Sequence, residues 1–114
     1  MFSLNSSQRY RLYNEPTDMR KSFDGLCGII NQELDRSPLS DEVFVFVNKR
    51  KDKIKLLHWE PGGLVLYYKR LEKGTLELPR DSSKSQMLTW RQLMLIIEGI
   101  SLETTKQKRR MLST

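Results

Sequence analysis

The sequence predicts an α+β fold, an antiparallel β-meander of about four to five strands packed against two helices in a single domain. Three observations predict it. Runs of β-preferring residues recur from Arg9 to Leu78, either alternating with polar residues or continuously apolar. Short polar turns separate the middle runs, which favours antiparallel neighbours. Two apolar stripes at spacings of three and four, one near each end of the chain, mark amphipathic helices.

Arg9-Tyr10-Arg11-Leu12-Tyr13 alternates, so it reads as a short first strand. Glu15-Pro16-Thr17-Asp18 breaks it, and Thr17 or Asp18 is placed to cap a following helix with a side-chain oxygen. Met19, Phe23, Leu26, Cys27, Ile30 and Leu34 form that helix's apolar stripe, about four turns long. Ser37-Pro38 ends it. Val43 to Val47 is a continuous apolar run and reads as a buried strand. Asn48 to Asp52 is a basic turn, and Lys53 to Glu60 is the next strand. Pro61-Gly62-Gly63 turns again. Leu64 to Leu71 follows as a strand, Lys73-Gly74 as a turn and Thr75 to Leu78 as a short fourth member of the meander. Asp81 to Gln86 reads as a linker. Thr89 and Gln92 have capping-box spacing, Leu88 and Leu93 flank them as a hydrophobic staple, and Leu93, Ile96, Ile97 and Ile100 continue the stripe to Gly99. The expected domain spans residues 1–103, with a flexible N-terminus at 1–8. Residues 104–114 read as a basic flexible tail.

The chain has 114 residues and a net charge of +6. The charge is uneven. Residues 1–42 carry five basic and seven acidic side chains, residues 43–80 nine and four, and residues 81–114 six and three. Such asymmetry points to a polyanionic partner, against the plainer reading of a solvated basic surface. No apolar run approaches the ~20 residues of a membrane span. Met1 to Tyr13 lacks a secretory pattern, so a cytoplasmic protein is expected.

Catalytic chemistry is poorly provided for. The one cysteine, Cys27, allows no internal disulfide and sits on the apolar stripe, where packing is the natural role. The one histidine, His58, lies within a strand. Asp18, Asp24, Asp41, Glu60 and Glu98 lie in separate elements, and no spacing selects three of them for a two-metal site. Asp24 reads more simply as an ion-pair partner for Arg20 four residues away. Gly62-Gly63 lacks a phosphate loop's lysine and hydroxyl. No enzyme, metal or cofactor is expected.

The basic residues carry the functional signal. Lys49, Arg50, Lys51, Lys53 and Lys55 crowd one hairpin, with Lys69, Arg70 and Lys73 on the next strand and turn. In a meander the two groups approach each other across the sheet and are suited to phosphates. Trp59, Tyr67 and Tyr68 are near enough to stack on bases, although core packing is favoured for the aromatics. Arg20 and Lys21 sit at a helix start, where the helix dipole disfavours cations.

Several segments in series resemble a known family. They are Pro16 to Leu26 (PTDMRKSFDGL), Val43 to Phe46 with Asn48-Lys49-Arg50 and Asp52 to Lys55, and Trp59-Glu60 with Gly63 and Tyr68 to Gly74. The last is Leu88 to Ile100. They resemble the small accessory protein from the second open reading frame of insertion-sequence family sixty-six, often called TnpB of that family. The resemblance covers residues 9–101. It implies a bacterial mobile element and a role beside a larger transposase, with no catalytic residues to carry over. The family is unrelated to the RNA-guided nuclease that shares the name. Two departures stand out. Asp41-Glu42 occupies a place where many members have glycine. Lys51 stands where a glycine often precedes the aspartate, which makes the hairpin turn more basic and is expected to alter its type.

The expectation is therefore a non-catalytic transposition accessory protein that contacts DNA, the element's transposase, or both. The expected contact residues are Arg20, Lys21, Lys49, Arg50, Lys51, Lys53, Lys69 and Arg70. The alternative is a protein–protein adaptor for the transposase that makes no DNA contact.

Overall fold

The computed structural model describes residues 4–99. In chain order its elements are β1 (Arg9–Tyr13), α1 (Phe23–Gln32), β2 (Glu42–Val47), β3 (Lys53–Glu60), β4 (Gly63–Arg70), β5 (Ser85–Leu88) and α2 (Trp90–Ile97). The strands form one sheet in the order β4-β3-β2-β1-β5.

The sheet is mixed, which corrects the expected antiparallel meander. Strands β2, β3 and β4 do form a meander. Strand β1, however, lies parallel to β2, with Tyr10 opposite Val43 and Leu12 opposite Val45. A parallel neighbour needs a crossover of about a dozen residues or more, and the segment containing α1 supplies it. The last strand also differs. Thr75–Leu78 forms no strand. Leu76 is buried and its N–H donates to the Lys51 carbonyl at 2.6 Å, so the segment braces the hairpin turn. The fifth strand falls instead at Ser85–Leu88, partly in the expected linker, and runs antiparallel to β1. Ser-Gln-Met-Leu has no β-branched residue, so its strand character comes from pairing and not from propensity.

Each face of the sheet buries a separate apolar cluster. Val43, Val45 and Val47 of β2 join Ile54 and Leu56 of β3 beneath Leu93, Ile96 and Ile97 of α2. Phe44, Phe46 and Leu57 point the other way, to Leu26 and Ile30 of α1. Alternation along a strand sends successive side chains to opposite faces. A strand buried on both sides must therefore read as continuously apolar, as β2 does.

Helix α2 has the expected N-terminus. Thr89 Oγ1 accepts from the Gln92 N–H at 3.1 Å, and Gln92 Oε1 accepts from the Thr89 N–H at 2.9 Å. Leu88 and Leu93 lie in the same core cluster, and Gly99 closes the helix at φ +74°. Lys69 donates to the Ile97 carbonyl at 2.8 Å, supplying a cation to a helix end with no basic residue of its own. Ile100 and the tail at 104–114 lie outside the described residues.

Helix α1 is shorter than the stripe predicts. It starts at Phe23 after Ser22 and stops at Gln32. Neither Thr17 nor Asp18 caps it. The Thr17 N–H donates to the Val47 carbonyl at 2.8 Å, which holds the segment at the end of β2, and the Thr17 hydroxyl is buried there without a hydrogen-bond partner among the described residues. At the other end Asp35 takes φ +51°, so the chain turns before Ser37-Pro38 is reached. Gly25 allows a close approach, because a Cβ there would lie 3.0 Å from Lys21 Cβ.

Glu42 is the buried charge of β2. Its carboxylate accepts from Arg11 Nε and Arg36 Nη1, each at 2.8 Å, and its side chain is only 5% exposed. Arg11 also donates to Ser85 Oγ at 3.1 Å, so one ion triad links β1, β2, β5 and the segment after α1. Removing one member of a buried pair leaves its partner uncompensated. Glu42→Ala is expected to lower unfolding free energy by about 3 kcal/mol, measured by urea denaturation.

Lys51 adopts φ +58°, a left-handed conformation that favours glycine. The turn thus holds a lysine in a backbone conformation that glycine adopts without steric cost. Only the Lys51 backbone is engaged, its N–H with Asn48 and its carbonyl with Leu76. Lys51→Gly is expected to leave stability unchanged or raise it by up to about 1 kcal/mol, whereas Lys51→Val is expected to lower it. Thermal denaturation distinguishes the two.

Candidate nucleic-acid or partner interface

The sheet is not covered evenly on the α1 side. Where β3 begins and β4 ends, the helix does not reach, and residues 16–20 cross instead. Between that segment and the β2–β3 turn lies an open groove of about 490 Å³, lined by residues that include Arg20, Lys49, Arg50, Lys53 and Tyr68.

Two devices shape the groove. Asn48 organises the turn through its side chain. Its Oδ1 accepts from the N–H groups of Asp52 at 3.1 Å and Lys53 at 2.9 Å, and its Nδ2 donates to the Asp52 carboxylate at 2.6 Å. An asparagine that bonds to backbone farther along the chain favours a turn. The Asn48 hydrogen bond is also the main reason that the Asp52 carboxyl is held below the usual aspartate value.

Lys55 forms the floor. The residue is 4% exposed. Its Nζ donates to the carbonyls of Met19 at 2.8 Å and Lys21 at 2.7 Å, and it lies 4.6 Å from the Tyr68 ring centroid. Burial lowers its pKa, and the nearby Asp18 charge acts in the opposite direction. Lys55 therefore holds the 16–21 segment over the sheet.

The expected contact residues are distributed unequally. Arg20, Lys49, Arg50 and Lys53 meet at the groove. Arg70 stands directly opposite Lys53 across β3 and β4, as the approach of the two basic groups predicts, and ion-pairs with Glu72 at 3.0 Å. Arg20 pairs with Asp18 at 2.7 Å, in place of the expected Asp24. That hydrogen bonding holds the Asp18 carboxyl at about 2, so the pair is ionised at neutral pH. Lys21 faces a neighbouring hollow that includes Tyr13 and Glu33. Lys51 lies away from the groove, beside the segment from Thr75 to Arg80. Lys69 is on the opposite face, at the end of α2. Among the described residues, the side chains of Lys49, Arg50 and Lys53 make no ion pair or hydrogen bond.

The aromatic residues also separate. Tyr67 packs with the α2-side core, and Trp59 is half-buried at another hollow with His58 and Leu39. Tyr68 is 51% exposed at the groove. Cys27 is half-buried against the α1-side core, and burial raises its thiol pKa. Among the described residues, no three His, Cys, Asp or Glu side chains gather as a metal site. No helix there is long and apolar enough to cross a membrane.

Fold and groove together define a small α+β domain, a mixed sheet between two helices with an open cationic groove at one corner. The family model described as IS66 Orf2-like protein matches residues 8–107, and the chain belongs to that family. Membership ties it to the insertion-sequence transposition systems and an accessory role in them. The uncharacterized protein y4jC of Sinorhizobium fredii is 26% identical over 100 residues, covering 88% of this chain and 86% of its own. A second uncharacterized protein of that organism, y4hO, is 29% identical over 84 residues, covering 74% and 73% respectively. No solved structure matches the chain.

Lys55→Met is expected to free residues 19–22 and leave two carbonyls unpaired. Hydrogen exchange at the backbone amides of that segment should accelerate, and stability should fall by about 1–2 kcal/mol. Unaltered exchange there would show that the segment is held by other contacts.

Proposed function

We propose that this chain is a non-catalytic accessory protein of a bacterial insertion-sequence transposition system and docks on the element's DNA through the groove. The observation that carries the reading is the gathering of Lys49, Arg50 and Lys53 at one groove with their side chains in no ion pair, although the Asp52 carboxylate lies near enough to feel Arg50 and Lys53. Cations of this kind release condensed counterions when they meet a phosphate backbone, and that release drives binding. The Asn48-organised turn presents Lys49 and Arg50 on an ordered loop, so less conformational entropy is lost on binding. Arg20 and Arg70 lie at the margin, each already shared with a carboxylate, and contribute less. Lys51, Lys69 and Lys21 lie outside the groove and are assigned no contact there. The protein acts in the cytoplasm, beside the element-encoded transposase, and neither metal nor cofactor takes part.

A second reading has one observation in its favour. Asp18 remains ionised within the groove, and a negative charge there repels phosphate. A mixed-sign groove suits a protein surface, so the alternative is an adaptor that docks on the transposase without touching DNA.

Fluorescence anisotropy with labelled duplex from the element's ends, at several salt concentrations, separates the readings. The DNA reading expects affinity to fall steeply with salt. Changing Lys49, Arg50 and Lys53 together to alanine should flatten the slope of log K against log salt by about 2.7, at roughly 0.9 per phosphate contact. No binding at low salt, together with salt-sensitive capture of the transposase, would establish the adaptor.

A further inference from the structure

Tyr68 is anomalous for an aromatic residue on a small sheet. Its strand neighbours pack inward, with Leu66 on the α1-side core and Tyr67 on the α2-side core. Tyr68 itself remains half-exposed in the groove. Among the described residues its hydroxyl has no hydrogen-bond partner, so the phenol oxygen does not account for its position. One side of the ring is taken by Lys55 Nζ, 4.6 Å from the centroid. That ammonium is anchored by the Met19 and Lys21 carbonyls and lies inside the protein. The ring is thus backed by a fixed buried cation, while half of the residue remains open to the groove.

The adjacent charges are arranged in register. Lys55 stands opposite Tyr68, and Lys53 opposite Arg70, on the same face of the two strands. The second pair lies one repeat along the strands, roughly 6.6 Å away. A planar group on the ring would therefore have cations beside it, and Lys49 and Arg50 line the same groove. Paired bases in a duplex are stacked on each other and cannot lie flat on such a ring. An unpaired base can, with its phosphates reaching the flanking cations.

We infer that the groove takes single-stranded nucleic acid, with one unpaired base stacked on Tyr68 and the adjoining phosphates held by Lys53 and Arg50. The inference rests on the reading of the groove as a nucleic-acid surface and adds the form of nucleic acid it selects. Stacking on an aromatic ring tolerates any base, because every base has a π-face. Preference for strand state over sequence follows. A ring backed by Lys55 loses little freedom when a base settles on it.

The test is anisotropy with a labelled oligothymidylate and a duplex of equal length, using the full chain and four variants. The wild type should bind the single strand more tightly than the duplex. Tyr68→Ala should weaken single-strand binding by about ten- to a hundred-fold and weaken duplex binding far less. Tyr68→Leu keeps apolar cover over Lys55 without a π-face and should behave like alanine, which controls for local unfolding. Tyr68→Phe should bind like wild type, since the hydroxyl has no partner. Lys53→Ala should weaken both substrates and reduce the salt dependence of each. Single-strand binding equal in wild type, Tyr68→Ala and Tyr68→Leu, but still weakened by Lys53→Ala, would overturn the stacking inference and leave the electrostatic groove standing. Binding of neither substrate at low salt would overturn both.

Discussion

Strand β2 meets water on neither face, and this constraint organises the molecule. All six of its residues, Glu42 to Val47, are buried. Its valines need one apolar layer and its phenylalanines another. A sheet with one face covered would leave Phe44 and Phe46 in water, at a cost of roughly 2 kcal/mol for each side chain. Helices on both faces are the solution reached. The segment carrying α1 links β1 to β2, so placing it on one face makes β1 a parallel neighbour. The remaining strand then closes the open side of β1, and α2 covers the second face. Glu42 is the exception in the strand, and it is retained only with two arginines around it.

The same double burial reaches β3, and there it generates the groove. Lys55 occupies an inward position that Leu57 fills with carbon two residues later. A buried ammonium without partners would be strongly unfavourable. Two carbonyls from residues 19 and 21 and the ring of Tyr68 satisfy it. Those carbonyls are available only because α1 begins at Phe23, four residues after the apolar stripe starts at Met19. The late helix start, the crossing of residues 16–21 and the half-open tyrosine are therefore one arrangement. A lysine in the core is stabilised by unwound backbone, and that backbone forms one side of the groove.

Much of this was legible in the sequence, and the parts that were not have physical reasons. Strand β1, the run at Val43 to Val47, the turns at Asn48 and Pro61, and the capping box at Thr89 follow from local periodicity and turn chemistry, which act over a few residues. The parallel pairing of β1 depends on which strand it meets after a crossover, and no local pattern encodes that choice. Strand β5 is invisible for a similar reason, since Ser85 to Leu88 is extended through its partner β1. Thr17 and Asp18 have the chemistry of caps, but Arg20 takes the Asp18 carboxylate, and the bond from the Thr17 N–H to the Val47 carbonyl holds Thr17 at the end of β2, away from the helix start. At the site, the basic hairpin was readable as composition. That Lys55 and Lys69 are spent on carbonyls, while Lys49, Arg50 and Lys53 are not, requires knowing which face each strand position takes. The alternation of Lys53 and Lys55 with Ile54 and Leu56 reads as a solvent-facing lysine row, and only Leu57, on the same face two residues later, hints that Lys55 is covered.

The position of the groove follows from a mismatch in length. Helix α1 has ten residues and spans about 15 Å. Strands β3 and β4 have eight residues each and span about 27 Å. One short helix cannot cover them, and the uncovered stretch holds Lys53, Tyr68 and Arg70. Cations gathered there repel one another, and at a Debye length of about 8 Å in physiological salt that repulsion is only partly screened. Asp18 and Glu72 pair with Arg20 and Arg70 at the margins, and Asp52 offsets Arg50 and Lys53 in part, so Lys49, Arg50 and Lys53 are the groove cations without an ion pair. An anionic partner relieves the repulsion at the moment it binds, which couples the electrostatics of this corner to the function proposed for it.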